Sequence, residues 1–421
     1  MDGRAASQTI TDKIPHFLKA GIELQVLSAV TGEKDDRFRH DQLLPWGPSG
    51  LRFDFRHWVT VRFGRTWVYK VFTPLLSLLL SPFILLEKVL LGLSSHWSWA
   101  IPATIRGWWR IRTGQMGLVY STGGAWSAHL AGWWLKKLTG TPWIVEVHDP
   151  LVQRDTAQRS VRKYRDAKAQ AWLEKVICRD ADAVWWFTEA ALRHARERNP
   201  ELGARGFSVC AGAEPPPIMG RHQDSALLTI AHFGSLSTTR SLAPFLKSLF
   251  SFCERIPEAA EKIQVHVYGA TLDEVTRALL EGHPLQRMVL AHGRLERDPV
   301  TNLSGREQVL KKMYEHDALL LLHGEHAACE EYIPSKVYEY FWTGRPILAL
   351  THNNPQLDSL IKERAGYLCA ATDPASIDQA IHRLWSDWQA KRLPTPPASP
   401  VTVEQTVRTI MGEIKLRLGP A

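Results

Sequence analysis

Glu331-Tyr-Ile-Pro-Ser-Lys-Val-Tyr-Glu339 runs directly into Tyr340-Phe-Trp-Thr-Gly-Arg-Pro-Ile-Leu-Ala-Leu350, and this stretch decides the fold. Pro334 suits the first position of a helix, where no amide donor is lost, and the open amides of that first turn make a ready phosphate site. Glu339 then falls inside the helix, eight residues after Glu331, so two carboxylates flank one turn-to-helix junction. Gly344 and Pro346 stop the helix, and Ile347 to Leu350 is a short apolar run of the kind that forms a buried parallel strand. The product is one β-α-β step.

Outward from that step the same rhythm recurs. Leu227 to Phe233 reads as a strand delivering Gly234-Ser235-Leu236, and Ile263 to Tyr268 as one leading to Gly269-Ala270. Met288 to Ala291 leads to His292-Gly293-Arg294, and Ala318 to Leu322 precedes the opening motif. Nearer the start, residues 5 to 20 read as a helix and Ile22 to Val30 as a strand. Gly117 to Ser121 reads as a strand running to Gly123-Gly124, Ala128 to Lys137 as a helix, and Trp143 to Val147 as a strand ending in His148-Asp149-Pro150. Ala183 to Thr188 is the next strand, with a helix from Glu189. Strands alternating with helices predict parallel sheets, whose ligands gather at the carboxyl ends of the strands. Met1-Asp2-Gly3-Arg4 looks like the turn after a first strand, so the expectation is that the true start lies upstream.

A chain of 421 residues exceeds one ordinary core, and two domains of roughly 200 residues are expected. Glu214-Pro215-Pro216-Pro217 marks a linker, since consecutive prolines continue neither helix nor strand. The domains are therefore set at 1–214, a linker over 215–226, and 227–395. Asp373-Pro374 opens a late helix. After a proline-rich stretch from Leu393 to Pro400, the residues Val403, Val407, Ile410, Met411, Ile414 and Leu418 form an apolar stripe at helical spacing over 400–418.

In the order of these motifs the chain resembles retaining glycosyltransferases of the GT-B fold, in particular the family 4-like group with its Glu-x7-Glu motif and "PSK-x-x-EY…G-x-P-I-L" pattern. The resemblance is weak over residues 1 to 115 and good over 116 to 385. It implies an α/β architecture of two Rossmann-like, doubly wound domains facing a central cleft, with the last helix crossing back to the first domain. It further implies that Glu331 lies near the transferred sugar, that Glu339 holds the nucleotide ribose, and that His148 meets the sugar from the other domain. Gly234 and Arg240 then face the donor diphosphate, with Lys336 as a second source of positive charge. Ser235 departs from the pattern, since relatives often carry a basic residue there. Ile333, Pro334 and Ser335 complete the donor site, and Gly269 and Arg294 line the ribose and base. Asp180-Ala-Asp182 has the spacing of a metal motif of another glycosyltransferase fold but precedes its strand at the wrong end, so a capping role is expected. No cofactor or metal is implied.

The formal net charge of +8 is largely local: Leu51 to Arg112 holds nine basic residues against Asp54 and Glu87. Within it Val71 to Leu86 carries no charge over sixteen residues, includes Pro74 and Pro82, and is surrounded by Trp58, Trp67, Trp97, Trp99, Trp108 and Trp109. A span needs about 20 apolar residues, so the segment 68–112 is read as membrane-seated rather than spanning. A nucleic-acid patch would not need the leucine run, so nucleic acid is excluded as a partner. Five cysteines without metal spacing, and no signal peptide, point to the cytosolic side, peripheral on the inner face of the membrane. The function implied is sugar transfer from a nucleoside diphosphate sugar to an acceptor hydroxyl, lipid-linked or on a saccharide, in bacterial surface polysaccharide or glycolipid assembly. A nucleotide-sugar epimerase and an inactive membrane-bound scaffold stay open as alternatives.

Overall fold

The computed structural model describes residues 5–32, 34–93, 95–114, 116–152, 161–216, 226–269, 271–396 and 401–419. Its contacts divide the chain into two units, Met1–Ala211 with Val403–Ala421, and Gly212–Thr402.

The first unit contains α1 (Ala5–Lys19), β1 (Gln25–Ala29), β2 (Arg39–Leu43), α2 (Pro48–Phe63), α3 (Trp67–Leu90), α4 (Ala100–Arg112), β3 (Val119–Gly123), α5 (Trp126–Thr139), β4 (Trp143–Val147), α6 (Val161–Asp180), β5 (Ala183–Trp186), α7 (Glu189–Arg198) and β6 (Gly206–Ser208). Strands β3-β4-β5-β6 form a parallel sheet in that order. Every residue of β4 and β5 is buried, because helices cover both faces. Trp143, Val145, Val147, Val184 and Trp186 pack with Leu130, Leu173, Ile177 and Leu192. Ile144, Ala183 and Trp185 pack with Ile410 of the last helix.

Strand β1 falls inside the expected stretch but does not join this sheet. It pairs in parallel with β2 alone, a polar segment whose sequence carries no strand pattern. Strand β3 begins two residues later than expected, at Val119, which places Gly123 in the strand itself.

The second unit contains β7 (Leu228–Phe233), α8 (Ala243–Arg255), α9 (Pro257–Lys262), β8 (Ile263–Tyr268), α10 (Glu274–Leu280), β9 (Val289–Gly293), α11 (Gly305–Glu315), β10 (Ala318–Leu322), α12 (Lys336–Trp342), β11 (Ile347–Thr351), α13 (Pro355–Lys362), β12 (Tyr367–Ala370) and α14 (Pro374–Gln389). All six strands are parallel, in the order β12-β11-β10-β7-β8-β9. Strand β12 was not anticipated. The Asp373 side chain caps α14 by accepting from the Ala375 amide. Helix α15 (Val403–Leu418) returns to the first unit, where Val403 and Val407 pack on Phe17 of α1, and Thr406 Oγ1 donates to the Cys210 carbonyl.

Two expectations change. Pro334 is not the first residue of α12: Ser335 is the N-cap and Lys336 opens the helix, because the Pro334 carbonyl is spent on the Val337 amide. The sixteen-residue apolar run lies inside a longer helix: α3 extends through Pro74 and Pro82 to 24 residues, by length and composition apolar enough to cross a membrane. Its apolar side chains are mostly exposed, so it is no buried core helix. Of the linker, residues 217–225 lie outside the described residues, as does Ala270.

Candidate functional site

In the second unit β7 and β10 are neighbours, and from them the sheet is built outward in opposite directions. Such a switch point leaves a crevice at the carboxyl ends of the two strands. Strand β7 runs there into Gly234 and β10 into His323-Gly324. Gly234 has φ +120°, a conformation closed to most side chains, and its amide donates to the Tyr268 carbonyl at 2.7 Å. The Gly269 amide donates in turn to the Gly293 carbonyl at 2.9 Å, and a Cβ on Gly269 would collide with the Gly234 carbonyl oxygen. Three strand-end turns are thus stacked backbone against backbone.

Two cations come to this cradle. Lys336 Nζ donates to the carbonyl of Phe233 and occupies the space a side chain at Gly234 would need. Desolvation first, and then the Arg240 charge, push the Lys336 ammonium down to about 7, against the pull of Glu339. Arg240 sits in a tight turn in which it exchanges backbone hydrogen bonds with Ser237, and its buried Nε meets no acceptor. The Arg240 charge acts on the Lys336 ammonium at this glycine cradle, an arrangement of positive charge and backbone amides that suits an anion. Lys336 supplies charge at the turn where Ser235, itself exposed, does not.

The motif's carboxylates are placed differently. Glu331 is 4% exposed, at the end of a short helical turn, Ala327–Glu331. Asn354 Nδ2 clamps that turn by donating to the carbonyls of Cys329 (2.8 Å) and Tyr332 (2.9 Å), while its Oδ1 accepts from the Leu357 amide and caps α13. His323 helps: burial drives it down to about 4, so it is neutral, and its Nε2 donates to the Tyr332 carbonyl at 3.0 Å. Glu339 is half-buried and forms an ion pair with Arg306 at 2.7 Å. Ile333 is part-buried, Pro334 buried, Ser335 exposed, and Arg294 exposed beyond β9.

In the first unit His148 follows β4. Its Nε2 lies 2.6 Å from Glu146 Oε1 and 3.1 Å from Thr122 Oγ1, and its ring leans on Phe187. Glu146 is fully buried and accepts from Lys13 Nζ at 2.7 and 2.6 Å, Tyr120 at 2.8 Å, Thr122 at 2.9 Å and Trp185 at 3.0 Å. Burial opposes its ionisation, but Lys13 and His148 overcome that and hold the carboxyl well below the usual carboxylate range. Asp180 accepts from Trp133 and Arg179, and Asp182 from Lys136 and the Trp143 amide, so both acids serve the ends of α6 and β4.

Sequence reasoning missed Glu146, Lys13, Arg306 and Asn354. Only Glu146 left a signal, as the one charge within Trp143-Ile-Val-Glu-Val147.

Residues 17–203 match the family model of a glycosyl transferase 4-like domain. No curated protein matches the sequence. Among solved structures, the pneumococcal O-GlcNAc transferase GtfA, determined with UDP and GlcNAc, is 11% identical, with TM-score 0.51 over 75% of this chain and 60% of that one. A UDP-forming trehalose-phosphate synthase from Burkholderia xenovorans is 10% identical, with TM-score 0.50 over 77% and 80%. S. aureus TarM, 12% identical with TM-score 0.43, is matched over 66% of this chain, and the chain spans about half (48%) of that protein's length. At such identities the likeness concerns the fold. Residues 17–203 of the first unit thus match a glycosyl transferase 4-like domain, and the chain has the two parallel α/β units of the GT-B fold.

Proposed function

We propose that this protein transfers a sugar from a nucleoside diphosphate sugar, of the UDP class, to an acceptor hydroxyl with retained anomeric configuration and without a bound metal. The observation that carries this is the convergence of Lys336 and Arg240 on the Gly234 turn at the switch point of the second sheet. When the bond from the anomeric carbon to the diphosphate oxygen breaks, negative charge develops on the departing diphosphate. Fixed cations and backbone amides stabilise that charge most as it forms. The acceptor oxygen bonds to the anomeric carbon, and its proton passes to the donor phosphate. Glu331 orients the sugar, and Glu339 binds the ribose with the oxygen that Arg306 leaves. The UDP class is supported by the neighbours solved with or forming UDP.

The acceptor in this reading is lipid-linked, at the inner face of a membrane, in surface polysaccharide or glycolipid assembly. Its support is the exposed apolar hairpin of α2 and α3 with the basic residues around it.

A panel of nucleotide sugars and free nucleotides tests the donor site by thermal stabilisation. A ligand at 100 times its Kd adds about 2.7 kcal/mol to folding. UDP or a UDP-sugar stabilises the protein, and Lys336→Gln abolishes the effect while far-UV circular dichroism is kept. Transfer to an extracted lipid acceptor is lost in Glu339→Ala. No stabilisation by any member of the panel, together with no transfer, overturns the reading.

A further inference from the structure

We propose that the α2–α3 hairpin is a monotopic insert that lies flat in one leaflet of an anionic bilayer, with α3 facing the acyl chains and without crossing. On α3 the exposed residues Val71, Leu75, Leu78, Leu79, Phe83, Leu86 and Leu90 recur at helical spacing, so one whole stripe faces out. The opposite side holds the buried Thr73 and Ile84. This is the reverse of a soluble helix, which turns its apolar stripe inward.

Composition alone would let α3 cross, since 24 residues of helix reach about 36 Å against a hydrocarbon core of about 30 Å. The fold argues otherwise. Glu87, near the end of α3, accepts from the Ser49 amide at the start of α2 (2.9 Å) and from Trp97 Nε1 (2.8 Å). Both ends of the hairpin are therefore pinned together on one side. If α3 crossed, α2 would have to cross back beside it. Helix α2 reaches only about 24 Å and carries Arg52, Asp54, Arg56 and Arg62, with Arg56 donating to Ser77 of α3.

Charge names the occupant. Arg52, Arg56, Arg62, Arg65, Lys70 and Lys88 surround the stripe, whereas Asp54 is buried and Glu87 is used in the clamp. Basic residues at the margin of an apolar helix fit anionic headgroups above acyl chains. This deepens the membrane part of the proposed function and rests on it only for its purpose, since insertion is read without any sugar nucleotide.

The test is flotation of the full-length protein with sealed vesicles of phosphatidylcholine alone or with 30% phosphatidylglycerol, the proportion being an experimental choice of about one anionic lipid in three. The protein floats with the anionic vesicles, and the triple variant Leu79→Asp, Phe83→Asp, Leu86→Asp loses at least about tenfold in binding, each charge being unfavourable in the acyl region. Should that variant misfold, Arg62→Gln with Arg65→Gln and Lys70→Gln removes the anionic preference instead. Gly64→Cys, read above the labelling of the parent protein, reacts with an impermeant maleimide equally in sealed and opened vesicles. Labelling of that cysteine only after opening shows a crossing helix and overturns the proposal. So do undiminished binding by both variants, and absence of vesicle binding combined with a lipid-free dimer that the triple variant abolishes.

Discussion

Glu146 Oε1 lies 2.6 Å from His148 Nε2 at the end of β4, and both oxygens of the same carboxylate are held by Lys13 Nζ from α1. An ionised carboxylate only accepts, so Nε2 of His148 carries the hydrogen and Nδ1 is left to address a ligand. The ion pair thus ties the orientation of a candidate sugar contact to the docking of the first helix.

Removing one partner of that pair leaves the other charged and buried. Glu146→Gln or Lys13→Met is expected to cost about 3–5 kcal/mol, measured by urea unfolding. The double variant Lys13→Met, Glu146→Leu recovers much of the loss, because no lone charge remains. Because the folded carboxyl titrates below its ordinary 4.5, its contribution is full above that pH and is lost as pH falls. Stability of Glu146→Gln is therefore flatter between pH 5 and 3 than that of the parent, over roughly the window where an unfolded carboxylate titrates.

Lys336 makes donor binding pH-dependent. Its ammonium, pushed down to about 7 by burial and then by the Arg240 charge against the pull of Glu339, is partly neutral at neutral pH. A bound diphosphate restores the charge, so the pKa is higher in the complex than in the free protein. Between those two values binding takes up a proton, and affinity for UDP falls by up to about tenfold per pH unit as pH rises above 7. Calorimetry in buffers of different ionisation enthalpy reads that proton directly. Lys336→Gln weakens binding and flattens the slope, and an unchanged slope in this variant would refute the assignment.

Gly269→Ala places a Cβ against the carbonyl oxygen of Gly234, a backbone atom that cannot swing away. A loss of about 1–3 kcal/mol in stability is expected from overpacking, together with loss of nucleotide-induced stabilisation, because the same shift displaces the Gly234 turn. Gly412→Ala, on α15 with open space around it, leaves both unchanged.

Asn354→Ala releases the turn that carries Glu331 and uncaps α13 at once. About 1–3 kcal/mol of stability and a measurable share of donor affinity are lost. Asp373→Ala removes a cap on α14 alone, costs about 1 kcal/mol and spares the affinity. Equal effects of the two on affinity would show that the clamp does not position the site.

Much of this architecture was legible in the chain. Ile263 to Tyr268, Ala318 to Leu322 and Trp143 to Val147 are strands with the limits their mainly apolar runs predict, because strands covered on both faces are rich in apolar residues, with Gln264, His266 and Glu146 as the polar exceptions. The stripe from Val403 to Leu418 likewise announced a helix with one face to bury. Arg39 to Leu43 gave no such sign, since its pairing with β1 lies outside the main sheet and asks for no continuous apolar run.

Sequence alone determined that strands and helices alternate and that glycine turns end the strands. It also determined that Glu331 and Glu339 flank a helix start, because side-chain period and turn chemistry are local properties of the chain. Tertiary structure alone decided that Lys336 reaches back to the Gly234 turn across 102 positions, that Arg306 takes one oxygen of Glu339, and that Lys13 neutralises Glu146 from 133 residues away. Long side chains meet their partners only where packing brings distant elements together, and spacing along the chain carries no trace of that distance.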